Sequence, residues 1–242
     1  MLAVEDLHTY YGQSHVLQGI SLHVDAGECV ALLGPNGMGK TTTLRSIMGL
    51  TPARQGCVRF KEQDITRFPP FRIARLGIGY VPEDRGLFSD LTVAENLMVP
   101  FLNLKHHDAR VWKGTEDRLY ALFPVLKERK KQLAGSLSGG EQQMLATARA
   151  LISGEEMILL DEPTEGLAPV VIRDLVSALD TIKEQGHTML LVEQNIQTAM
   201  EVAGRCYILE KGRVRVEESM DMLSQRPDLI QRYIGVAGTD AD

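Results

Sequence analysis

The chain has 242 residues, 44% of them hydrophobic and 24% charged, which is ample for a buried core and fits one domain with an elaboration, or two small ones. A net charge of −6 argues against a duplex-binding surface, so nucleic acid is not expected as a partner. Cys29, Cys57 and Cys206 lack CxxC spacing and suggest neither a disulfide framework nor a zinc site. There is also no basic-then-apolar leader and no run of 18 apolar residues, so a cytosolic protein without a membrane span is expected.

Residues 2–7 read as a strand, Tyr10-Tyr11-Gly12 as a turn, and Ile20, Leu22 and Val24 alternate with Ser21 and His23 as in a half-buried strand. Asp25 to Glu28 turn into the apolar run 29–33, a buried strand. The nine residues that follow, Gly34-Pro35-Asn36-Gly37-Met38-Gly39-Lys40-Thr41-Thr42, precede a helix over 43–48 that ends near Gly49. Strand, glycine-rich loop and helix are the setting of a P-loop. Gly34, Gly37 and Gly39 can adopt positive φ and turn successive N–H groups onto one anion. The helix N-terminus and Lys40 add positive charge toward the β- and γ-phosphates, and Thr41 offers its hydroxyl to Mg²⁺. The loop predicts a nucleoside triphosphate site.

Further along, 57–60 reads as a strand, Pro69-Pro70 opens a short helix, and 77–82 is a third apolar segment closed by proline. Between residues 86 and 152, Ala94, Leu97, Met98, Leu119, Leu122, Phe123 and Leu126 recur at helical spacing, which predicts an all-helical insert. Residues 157–160 return as a core strand. Pro169 starts a helix with Ile172, Leu175, Val176, Leu179 and Ile182 on one face, and 188–192 is the next strand. Strand 213–216 and two short helices finish the chain, with 235–242 frayed. The alternation predicts an α/β fold with a mostly parallel sheet covered by helices.

Asp161 and Glu162 end the 157–160 strand, where ligands of open α/β sheets gather. Asp161 suits Mg²⁺ and Glu162 suits orienting or deprotonating the attacking water. Upstream lies Leu137-Ser138-Gly139-Gly140-Glu141-Gln142-Gln143. Alone, the tetrad at 137–140 reads equally well as a helix N-cap. In the order P-loop, helical insert, LSGGEQQ and acidic strand end, the chain resembles the ATPases of ABC transporters over nearly its whole length. That resemblance implies a P-loop NTPase with a RecA-like core and an antiparallel β subdomain over 1–85 and 153–242. It places a helical subdomain at 86–152. It also implies a head-to-tail dimer in which Ser138, Gly139, Gly140 and Glu141 meet ATP held by the partner chain.

Other positions carry over singly. Tyr11 matches the aromatic that stacks on adenine, with Tyr10 as the competing choice. Glu83 sits where most of the family has a glutamine that reaches Mg²⁺ and the membrane subunits. Gln194 takes the place of the switch histidine and can donate to a γ-phosphate oxygen without becoming cationic. Ala168 replaces the usual aspartate of its loop. Together with Leu167-Ala168-Pro169 and Val192-Glu193-Gln194-Asn195, these departures resemble the second ATPase subunit of branched-chain amino-acid importers (LivF-like). The resemblance implies ATP and Mg²⁺ as cofactors and separate transmembrane permease subunits. A second ATPase is implied as a heterodimer partner, with a homodimer possible, and a solute-binding protein acts indirectly. It also implies a location on the inner face of the cell membrane. The alternatives are the same engine serving urea, amides or an export substrate, and a nucleotide-gated regulatory module with little turnover.

Smaller features point less far. Lys127, Arg129, Lys130 and Lys131 read as a solvated helix end, with Glu128 among them. His106-His107 reads as a loop without metal spacing, and the family resemblance implies that Asp84-Arg85-Gly86 belongs to the hinge that meets the permease.

Overall fold

The computed structural model describes residues 1–102, 108–154 and 156–235. His106, His107 and the tail beyond residue 235 therefore lie outside the described residues. The chain opens with β1 (Leu2–Tyr11) and β2 (Ser14–Val24), followed by β3 (Cys29–Leu33), α1 (Lys40–Ile47), β4 (Gln55–Phe60), β5 (Gln63–Asp64), α2 (Pro70–Ala74) and β6 (Ile78–Val81). Helices α3 (Val93–Leu102), α4 (Ala109–Leu122), α5 (Pro124–Glu128) and α6 (Gly139–Ser153) come next. The final part comprises β7 (Met157–Asp161), α7 (Pro169–Glu184), β8 (Thr188–Glu193), α8 (Ile196–Val202), β9 (Arg205–Glu210), β10 (Arg213–Ser219), α9 (Met220–Ser224) and α10 (Pro227–Tyr233).

Six strands form the central sheet in the order β10-β9-β3-β8-β7-β6, parallel except for the antiparallel edge strand β10. A second, antiparallel sheet has the order β2-β1-β4-β5. The central strands are apolar without interruption because both faces are covered. Their side chains divide with period two between two cores. Ala31, Leu33, Ile158, Leu160 and Leu191 join the core built with α3 to α8. Val30, Leu32, Leu159, Leu190 and Val192 join the core shared with α1, α2 and the antiparallel sheet.

Several expectations shift by a few residues. Tyr10 and Tyr11 are the last residues of β1, paired with His15 and Ser14, so the turn is confined to Gly12 and Gln13. Helix α1 begins at Lys40, inside the polar end of the loop, because Gly39 supplies the left-handed N-cap at φ 103°. Strand β9 and helix α8 were not anticipated. Among the described residues of 86–152, β pairing is limited to the bridge Thr92–Leu133.

The C-terminal part of α6 reaches the central sheet, and a Cβ at Gly79 of β6 would collide with the carbonyl oxygen of Ala150. The close approach leaves no room for a methyl group. Gly79→Ala is expected to destabilise the chain by about 1–3 kcal/mol, read as a lower urea midpoint at constant m.

Candidate functional site

The site lies at the carboxyl ends of β3, β7 and β6, around a cavity of about 480 Å³. Its lining includes Asn36, Gly37, Gly39, Lys40, Thr41 and Thr42 from the loop and α1, with Glu83, Glu162 and Glu165 opposite and Val16 from β2. Gly34, Gly37 and Gly39 all have positive φ. At Gly34 and Gly39 close packing adds a second reason for glycine: a Cβ would lie 2.6 Å from the Leu209 carbonyl oxygen and 2.7 Å from Leu17 Cδ2. Met38 does not line the cavity; it packs against the core shared with α1, and its sulfur accepts from the Lys211 N–H at 3.2 Å.

Lys40 is 3% exposed and its ammonium is held by three oxygens. It donates to the carbonyls of Gly34 and Pro35 at 2.7 and 3.1 Å and ion-pairs with Glu162 Oε1 at 3.0 Å. Thr41 Oγ1 donates to Asp161 Oδ1 at 3.0 Å, and the Tyr80 hydroxyl donates to Asp161 Oδ2 at 3.1 Å. Loop, strand end and neighbouring strand thus converge on one carboxylate. Burial pushes the Asp161 carboxyl up to about 6, with Glu162 and Glu83 adding to the rise and the Thr41 and Tyr80 hydrogen bonds opposing it. The Glu165 carboxyl is also raised, chiefly by sharing a hydrogen bond with Glu162. Glu83, Glu162 and Glu165 line the cavity and Asp161 is bound to the lining residue Thr41, so hard oxygen donors converge there with negative charge in excess of Lys40. Asp161, Glu83 and the Thr41 hydroxyl therefore fit Mg²⁺.

The other expected residues are placed unevenly. Tyr11 does not line the cavity; it is 47% exposed and its hydroxyl meets Thr51 Oγ1 at 3.3 Å. Tyr10 is engaged on both sides, stacked on His15 at 4.1 Å with the Arg54 guanidinium 4.4 Å from its ring centre, which leaves Tyr11 as the freer ring. Gln194 is exposed just beyond β8 and outside the lining. Ser138 caps α6 in a reciprocal box: Glu141 N–H donates to Ser138 Oγ at 3.3 Å and Ser138 N–H to Glu141 Oε2 at 2.8 Å. Gly140 packs against Val171. Ser138, Gly139, Gly140 and Glu141 are all absent from the lining of the cavity formed by their own chain. Tyr80, Glu165 and Glu193 escaped the sequence reading. Tyr80 looked like strand core, and only the Glu162-x-x-Glu165 spacing could have pointed to a second carboxylate.

With this geometry in view, residues 17–165 match the family model described as ABC transporter. The chain belongs to the ABC transporter ATPases, and ATP binding follows from that membership. It is 40% identical over 235 residues to BraG of Pseudomonas aeruginosa, a high-affinity branched-chain amino acid transport ATP-binding protein, covering 97% of this chain and 100% of the relative. It is 35% identical over 240 residues to an Archaeoglobus fulgidus protein assigned to the same transport as LivF, covering 98% and 99%. Among solved structures it superimposes with a TM-score of 0.81, at 26% identity, on a dimeric ATP-binding cassette in a post-hydrolysis state bound to ADP and phosphate; 91% of this chain and 99% of that one are covered. No helix among the described residues is long and apolar enough to cross a membrane.

Glu193, buried behind the site, gives a measurable pH signature. Burial lifts its carboxyl from an ordinary 4.5 to about 7. Between those values the folded chain keeps a proton that the unfolded chain has released, so stability falls as pH rises from about 4.5 to about 7. Glu193→Gln cannot ionise. Its stability relative to wild type is expected to improve by on the order of 1–3 kcal/mol between pH 5 and pH 8 in urea titrations of the nucleotide-free chain. Parallel pH dependences would contradict the assignment.

Proposed function

We propose that the chain is the ATP-hydrolysing subunit of an importer for branched-chain or related amino acids. The observation that carries the reading is the convergence of Lys40 with Glu162 and of Thr41 with Asp161 at one cavity. The loop N–H groups and Lys40 would bind the β- and γ-phosphates, and the ring of Tyr11 would take the adenine. Mg²⁺, held by Thr41, Asp161 and Glu83, would supply positive charge that neutralises the transferred phosphoryl oxygens. Lys40 and Glu162 are bound to each other. When Lys40 turns to the phosphates it releases the Glu162 carboxylate, which then orients the attacking water and accepts its proton. Substrate binding and activation of the base are one exchange of partners. Gln194, as donor to the γ-phosphate, completes the set.

The closed unit is read as a head-to-tail dimer. Ser138, Gly139, Gly140 and Glu141 would reach ATP on the partner chain, so loss of the γ-phosphate opens the interface. The helical segment 86–152 would move as a subdomain on the core formed by 1–85 and 153–242. A second cavity of about 410 Å³, lined by Leu50, Pro82, Arg85, Pro100 and Arg149 among others, suits a segment of a membrane permease. The chain would then sit on the inner face of the membrane, paired with a paralogous ATPase or a second copy, and receive its solute signal through a separate binding protein. The 40% identity to BraG favours amino acids as cargo.

Glu162→Gln is expected to lower turnover by about 10²- to 10⁴-fold while an ATP-bound dimer accumulates on gel filtration. Equal turnover in variant and wild type would remove Glu162 from the role of base. A mild-detergent pull-down of tagged chain from its own membranes tests the rest. Co-purifying permease subunits, and ATPase activity raised by leucine or valine with a binding protein, are expected. A chain that emerges alone and responds to neither contradicts the importer reading.

A further inference from the structure

Glu193 is the last residue of β8, is 2% exposed, and does not line the cavity. A buried carboxyl is costly unless its oxygens are hydrogen-bonded. The groups that hold this one are neutral: Thr164 Oγ1 donates at 2.8 Å and Thr164 N–H at 3.3 Å, with the Asn195 N–H also donating. Thr164 lies two residues after Glu162, in the turn that carries both Glu162 and Glu165 to the cavity. The start of that turn is also tied to β8, by the Glu162 N–H donating to the Val192 carbonyl at 3.0 Å. Two consecutive residues of β8 therefore grip the turn at Glu162 and at Thr164, and the next residue in the chain is Gln194. The turn needs such a grip because Glu162 has φ 47°, which a side-chain-bearing residue rarely adopts unaided.

We propose that Glu193 is a positioning residue for ATP hydrolysis: its buried carboxyl ties the loop that bears Gln194 to the turn that bears Glu162. Contact at Gln194 and the aim of Glu162 are thereby set together. The inference rests on reading Glu162 as the residue that activates water. Failure of that reading is seen separately, as undiminished turnover in Glu162→Gln.

The test is single-turnover hydrolysis at saturating Mg-ATP by the full chain, alongside equilibrium binding of ATP. Glu193→Ala is expected to slow hydrolysis by about 10- to 100-fold with ATP affinity within about twofold of wild type. Glu193→Gln keeps an oxygen that can accept from Thr164 and is expected to recover the rate to within about threefold. Thr164→Val removes the hydroxyl donor and should slow hydrolysis, and the Glu193→Ala/Thr164→Val double variant should be no slower than Glu193→Ala alone. A wild-type rate in Glu193→Ala, an affinity loss that matches the rate loss, or multiplying effects in the double variant would each overturn the proposal. Should Glu193→Ala fail to fold, Thr164→Val decides: a several-fold slower rate at unchanged ATP affinity is expected, and a wild-type rate overturns the proposal.

Discussion

The ion pair between Lys40 and Glu162 is nearly dry, with side chains 3% and 8% exposed, and most of the site's architecture serves to make it possible. An ammonium removed from water must have its protons satisfied, and here two loop carbonyls and one carboxylate do so. That requires a loop whose carbonyls point inward at Gly34 and Pro35, and a carboxylate delivered from a different strand. Strand β7 lies two places from β3, with β8 between them. The parallel register fixes where all three strands end, Leu33 opposite Glu193 and Asp161 opposite Val192. Function at this site is a consequence of sheet register.

The two-sided central sheet keeps that register firm. A slip by one residue in β3 would exchange Val30 and Leu32 for Ala31 and Leu33 between two differently shaped cores. The antiparallel sheet is joined to the same arrangement: Gly212 packs against the Val16 carbonyl, and Gln18 N–H donates to the Gly212 carbonyl at 2.8 Å. Val16 in turn lines the cavity. The Arg205 guanidinium adds a polar clasp across both sheets, pairing with Glu28 at 2.6 Å and donating to the His23 carbonyl at 2.6 Å.

What the sequence made legible follows from how local each cause is. Strand β3 is five consecutive apolar residues bounded by Glu28 and Gly34, and its limits are readable to the residue. The loop and the acidic pair at Asp161 and Glu162 announce themselves by residue type. Strand β9 is harder because its ends are Arg205 and Glu210, although the apolar four between them, Cys206 to Leu209, are almost fully buried. Helix α8 spans only seven residues, too few for a periodic pattern, and the Asn195 cap that starts it lies within the segment read as a motif. Tyr80 and Glu193 were beyond local reasoning. Their roles arise from pairs 81 and 29 residues apart, Tyr80 with Asp161 and Thr164 with Glu193.

Backbone strain marks the site independently of residue type. Among the described residues, six that bear side chains have positive φ. Lys61, Glu62 and Lys211 lie in the tight turns joining β4 to β5 and β9 to β10, where such angles match the strand twist. Asp6 lies at a register shift in β1. Arg85 and Glu162 have no hairpin or bulge to account for them. For Glu162 the reason is geometric. Along an extended strand successive side chains point to opposite faces, so Asp161 beside α1 would send Glu162 toward the other core. The left-handed conformation at Glu162 breaks the alternation at its first step and lets Glu162 line the same cavity as Thr41, the partner of Asp161. Such a residue costs about 1–2 kcal/mol. Lys40 holds its side chain and the β8 carbonyl of Val192 holds its N–H, so contacts that the site requires also offset the strain.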